Sequence, residues 1–136
     1  MSILPFLSKQ TSERKQILSA IHKIIVAGDK NAKAEIGTMM GKEMILYKTS
    51  EVFKYGLSSV KSHMSLHAMP IYGSGKLHSK YAKLLNQAKL QKGCINFKNS
   101  EEMPLDIVRQ LIDDCAKVDL VAIREGIKNN PEQKYF

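Results

Sequence analysis

The chain has 136 residues, 43% hydrophobic and 25% charged, with a formal net charge of +8. That size and composition suit one folded domain and exclude a wholly disordered chain. No run of about 18 apolar residues is present, which excludes a membrane-spanning helix.

In chain order, residues 1–10 are expected to form a loosely held lead-in. They start apolar but carry no basic n-region, so a signal peptide is not expected. Thr11 or Ser12 is a capping residue for a helix running to about Ala27. Ile17, Leu18, Ile21, Ile24 and Ile25 make one apolar stripe on it, and Gly28 is its expected C-terminal stop. From Ala34 to Lys48 the period changes. Ile36, Met39 and Met40, then Gly41-Lys42-Glu43, then Met44 to Tyr47 predict a hairpin or a pair of short strands. Val52 to Tyr55 and Val60 to Ile71 are the next strands. In the second, Met64, Leu66 and Ala68 alternate with His63, Ser65 and His67, and Pro70 closes the run.

Tyr72-Gly73-Ser74-Gly75 predicts a turn, followed by a helix over about Ser79 to Leu90 with Tyr81, Leu84, Leu85 and Ala88 inward. Cys94 to Phe97 is a short strand. Pro104 suits the first position of a long helix with Leu105, Val108, Leu111, Ile112 and Cys115 as its stripe. A further helical stretch is expected from Asp119 to Ile127, stopped by Asn129-Asn130-Pro131. This order predicts an α+β fold, an antiparallel β-sheet packed against helices. The domain is expected over residues 11–128, with 129–136 as a tail.

The charge is uneven. Residues 1–97 hold 15 Lys/Arg and 5 Asp/Glu, whereas residues 98–136 hold 6 and 8. A basic body suggests affinity for anions, although lysine also serves simply to keep a surface solvated. Only Arg14, Arg109 and Arg124 are arginines, and arginine is favoured for reading bases. Binding to nucleic acid is therefore expected to be weak and non-specific. Two cysteines, Cys94 and Cys115, are expected to be reduced thiols in a cytoplasmic protein.

The chemistry-bearing residues are sparse. His63 and His67 on a strand lie about 13 Å apart at about 3.3 Å per residue, too far to share one zinc. No metal site and no cofactor are expected, and His22 reads as a partly buried helix residue. Cys94, with Lys89 and Lys92 nearby in sequence, invites a thiolate reading, but a small core residue on a strand is the plainer one. Gly73-Ser74-Gly75-Lys76 lacks the spacing of a phosphate loop. Lys48, Lys54 and Lys61 interleave with Tyr47, Phe53 and Tyr55, as strand alternation with aromatics in and lysines out would also give. Glu101-Glu102 and Asp113-Asp114 read as solvated helix-end charges.

Phe53-Lys54-Tyr55-Gly56, His63-Met64-Ser65-Leu66-His67, Lys92-Gly93-Cys94-Ile95-Asn96-Phe97 and Met103-Pro104-Leu105-Asp106-Ile107-Val108 together resemble the YdhG-like family of small bacterial domains of unknown function. The resemblance spans roughly residues 13–117. It implies an early helix, a central antiparallel sheet and a late helix introduced by Pro-Leu. Some members of that family are described as frataxin-like iron chaperones. Iron prefers clustered oxygen ligands, and carboxylates are sparse before residue 100. The resemblance carries no catalytic residue onto this chain. The expected function is a non-enzymatic binding or accessory domain. Its sheet face would carry Lys54, Tyr55, Lys61, His63 and His67, and would receive a small anionic ligand or a protein partner. The alternatives are a frataxin-like iron carrier and a weak nucleic-acid-associated protein.

Overall fold

The structure, a computed structural model, describes residues 3–118. A short helix α1 (Leu4–Leu7) precedes α2 (Ser12–Gly28). Four consecutive strands follow: β1 (Lys33–Met39), β2 (Lys42–Thr49), β3 (Val52–Ser59) and β4 (Met64–Ala68). Then come α3 (Met69–Tyr72), α4 (Gly75–Leu84), β5 (Lys89–Leu90), β6 (Cys94–Phe97) and α5 (Leu105–Ala116). The six strands form one antiparallel sheet in the order β1-β2-β3-β4-β6-β5. This is the expected α+β arrangement. The expected helix from Asp119 to Ile127 lies outside the described residues.

The sheet separates two environments because strand side chains alternate. One face carries Ile45, Tyr47, Tyr55, Leu57, Met64, Leu66, Ala68, Ile95 and Phe97. These join Leu18, Ile21 and Ile25 of α2 and Val108, Leu111 and Ile112 of α5 in a single core. The helices α1, α3 and α4 contribute Phe6 and Leu7, Ile71, and Tyr81 to the same core. All five described helices therefore feed one face of the sheet.

Several boundaries depart from the sequence expectation for local reasons. Phe6 and Leu7 are buried, so the first ten residues include a docked turn of helix rather than a loose lead-in. Gly28 is the last residue of α2, and the Asp29 N–H closes the helix on the Ile25 carbonyl. Residues 60–63 turn the chain, and residues 69–72 coil into α3 instead of continuing β4. Ser74 caps α4 by accepting from the Leu77 N–H, which starts that helix earlier than the apolar stripe suggests. Its far end gives way to β5 at Lys89, and Leu84 is left exposed. Pro104 caps α5 from outside the helix.

Two hairpin turns have left-handed backbone at both central residues. Met40 and Gly41 (φ 53° and 76°) join β1 to β2, and Ser50 and Glu51 (φ 48° and 67°) join β2 to β3. Such turns match the twist of the flanking strands. The first has the glycine the geometry favours. The second has none.

Candidate functional site

The β2–β3 pairing contains one irregularity. Tyr47 pairs with Tyr55 and Lys48 with Phe53, which leaves Lys54 without a partner on β2. This is a β-bulge, and it turns two successive side chains to the same side. Lys54 therefore does not point outward as alternation demands. Its Nζ lies 2.7 Å from Asp29 Oδ2 and donates to the Val118 carbonyl at 2.9 Å. Tyr55 donates its hydroxyl to the same Asp29 oxygen at 2.7 Å. Burial, foremost, and the Asp29 carboxylate push the Tyr55 phenol well above its ordinary range, so it stays a donor.

Asp29 and Lys54 also line a cleft of about 770 Å³, with Lys48, Thr49, Ser50, Glu51 and Val118 among its other walls. Two ion pairs run through its lining, Lys54 on Asp29 and Lys48 on Glu35, and Lys33, Glu51 and Lys117 line it as well. The cleft reads as a joint tying the end of α5 to α2 and the sheet.

The face of the sheet opposite the helices is different. Two neighbouring cross-strand rows run across it. One passes from Glu35 through Leu46, Gly56 and His67 to Cys94. The other passes from Ser58 through Ser65 and Asn96 to Lys89. A side chain on Gly56 would meet the Phe53 ring at 3.0 Å and the Met44 sulfur at 3.2 Å. Its absence lets that ring lie flat on the sheet beside His67's row.

The polar members of these rows touch one another. Ser65 donates its hydroxyl to Asn96 Oδ1 at 2.6 Å, and the Cys94 thiol donates to the same oxygen at 3.2 Å. His67 Nε2 lies 3.4 Å from Ser58 Oγ and 4.0 Å from Cys94 Sγ. With its amide oxygen doubly engaged, Asn96 keeps its Nδ2 hydrogens unpaired among the described residues. Burial, and secondarily the Lys42 ammonium, hold the His67 imidazole below its ordinary range. Burial pushes the Cys94 thiol up, against a Ser65 hydrogen bond and Lys42, which pull it down. A thiol beside a neutral imidazole is not an activated nucleophile. The arrangement is suited to hydrogen bonding.

The five residues expected to share a binding face do not converge. Lys54 and Tyr55 are buried on the helix side, for the reason the bulge supplies. Lys61 is exposed in the β3–β4 turn, where its carbonyl accepts from Arg14 at 3.2 Å. His63 is in the same turn, its Nδ1 2.8 Å from Ser62 Oγ. Only His67 sits on the face opposite the helices, where it is half-buried beside the buried Ser58 and Ser65. The residues that join it there, Ser58, Ser65, Cys94 and Asn96, carry no ligand signature in the sequence. Period-two spacing in β4 and β6 is the available signal, but it needs the pairing partner to become a site. Cys94, expected in the core, is half-buried on this opposite face. Cys115 is in the core as its stripe requires. Asp114 is not a free helix-end charge: it accepts from Lys80 Nζ at 2.6 Å and from the Tyr81 hydroxyl at 2.5 Å. His22 is partly buried, with Nδ1 2.6 Å from the Tyr47 hydroxyl.

Among the described residues no group of three or more His, Cys, Asp or Glu side chains is placed to hold a metal ion, and no helix is long and apolar enough to cross a membrane. Comparison with known family models, with curated proteins and with solved structures gave no match.

Proposed function

We propose that this chain is a non-enzymatic, intracellular binding or accessory domain similar to the YdhG-like domains, and that its sheet face opposite the helices receives a small anionic ligand. The observation that supports this reading is the convergence of Ser58, Ser65, His67, Cys94 and Asn96 on a face that no described helix feeds. A few convergent polar groups among apolar neighbours are what orients a small ligand. The basic excess of residues 1–97 supports an anion over a cation. An iron-carrying role has less support, because Asp29 and Asp114 are already committed to the ammonium groups of Lys54 and Lys80. Polyanion binding is expected to be weak, sequence-independent and lost as salt rises. The test is a screen of small carboxylates, phosphates and neutral polar compounds by amide chemical-shift mapping of the full chain. Shifts clustering on Ser58, Ser65, His67 and Asn96 are expected. A screen in which no compound moves these residues refutes the reading.

A further inference from the structure

Resting on that reading, we propose that the half-buried polar cluster on the sheet face opposite the helices is an oxyanion site whose occupancy is coupled to proton uptake by His67. The donor set points to an oxyanion. Ser65 and Cys94 both donate to Asn96 Oδ1, and among the described residues its two Nδ2 hydrogens have no acceptor. Ser58 Oγ lies within 3.4 Å of His67 Nε2, so one ligand oxygen at this point meets a hydroxyl and an imidazole together. Lys42 acts electrostatically on both His67 and Cys94, and Lys89 stands opposite Asn96 in the register. Among the described residues no carboxylate belongs to the cluster: Glu35, at the far end of the His67 row, is held by Lys48 at 2.6 Å. A tetrahedral or planar oxyanion meets amide, hydroxyl and imidazole donors here, with two ammonium groups for charge.

The coupling follows from His67's surroundings. Among the described residues the Cys94 thiol of β6 lies 4.0 Å from it, and the Lys42 ammonium of β2 acts on it through space. Neighbouring β3 presents only Gly56 and Ser58, and α3, which follows β4, contains no charged residue. Among the described residues nothing negative balances an imidazolium, and burial holds the ring's proton loosely. A bound anion supplies the missing counter-charge. By linkage, the same anion must bind more tightly as the ring becomes protonated.

Sulfate is the suitable probe, because its own charge does not change between about pH 5 and 8, where histidine titrates. Titration of the full chain with sulfate at constant ionic strength, followed by amide and imidazole NMR shifts, should move Ser58, Ser65, His67 and Asn96. Affinity should be about tenfold tighter at the acid end, matching by reciprocity a roughly tenfold gain in the ring's affinity for its proton when the anion is bound. His67→Gln should remove the pH dependence. Asn96→Asp keeps the acceptor for Ser65 and Cys94 but replaces the donors with a negative charge, and should abolish binding at both ends. If sulfate moves these residues equally at both ends of the range, the proton coupling is overturned while the binding reading stands. If sulfate leaves the face unmoved yet other compounds in the screen shift it, the oxyanion assignment is overturned and the binding reading again stands. Silence toward every compound overturns both.

Discussion

Lys54 and Asp29 form an ion pair 2.7 Å long, with only 4% and 5% of their side chains exposed. Charges this deep are expensive to desolvate, and such a pair persists only where additional hydrogen bonds satisfy it. Here Tyr55 and the Val118 carbonyl supply them. Lys54→Met leaves the carboxylate buried with one donor and should cost about 3–5 kcal/mol in denaturant unfolding. Lys54→Met combined with Asp29→Asn removes both charges, keeps an acceptor for Tyr55, and should recover most of the loss. A single variant as stable as the parent would contradict this account.

His22 should make stability depend on acidity. Burial holds its imidazole below the ordinary range, so the folded chain favours the neutral ring bonded to Tyr47. The unfolded chain takes up the proton near its ordinary pKa of about 6.5. The stabilisation is therefore complete above that value and is lost as pH falls through the lower folded pKa. Urea midpoints measured between about pH 8 and 5 should decline on the acid side. His67, lowered for the same first reason, adds to the decline. His22→Gln should flatten part of the curve, and the double variant with His67→Gln should flatten more.

The second hairpin turn should be open to improvement. Ser50 and Glu51 both hold left-handed backbone without a glycine, a conformation that costs an ordinary residue about 1–2 kcal/mol. Ser50→Asn with Glu51→Gly fits the preferred turn sequence and should stabilise the fold by about 1 kcal/mol. Thermal unfolding would show a higher midpoint, and an unchanged or lower one would mean that the native side chains there make contacts worth more than the strain.

The two thiols should differ sharply in reactivity. Cys115 is fully buried in the core, and burial pushes it up to about 12. Cys94 is half-buried on the face opposite the helices and is raised for the same reason, though Ser65 and Lys42 oppose it. Iodoacetamide on the native protein, followed by mass spectrometry, should modify Cys94 slowly and leave Cys115 intact until denaturant is added.

The sheet is legible in the sequence because its pattern is local. Gly41 marks one hairpin turn, and Met64, Leu66 and Ala68 alternate cleanly with Ser65 and His67. The candidate site is only partly legible. A bulge is decided by how two strands pair, and nothing local to Phe53-Lys54-Tyr55 shows that Lys54 will share a side with Tyr55. Asp29 meets Lys54 only after α2 has packed. His67 and Cys94 face each other only because β6 inserts beside β4, with β5 left outside it. The stripe that places a helix over Ser79 to Leu90 is misleading at its far end, where β5 finds a partner in β6.

The helices' common attachment to one side of the sheet bears on how the chain is made. Strands β1 to β4 are joined by short turns, so each pairs with its predecessor soon after it is synthesised, across loops whose closure is entropically cheap. The apolar stripe of α2 has a different history. Leu18, Ile21 and Ile25 precede the sheet they pack on, and Val108, Leu111 and Ile112 of α5 complete their enclosure only near the end of the described chain. Once β4 has paired and until α5 is made, the nascent protein thus carries a half-covered greasy helix on one side of the sheet. That interval, between β4 and α5 leaving the ribosome, is when a chaperone or an aggregate would find its handle.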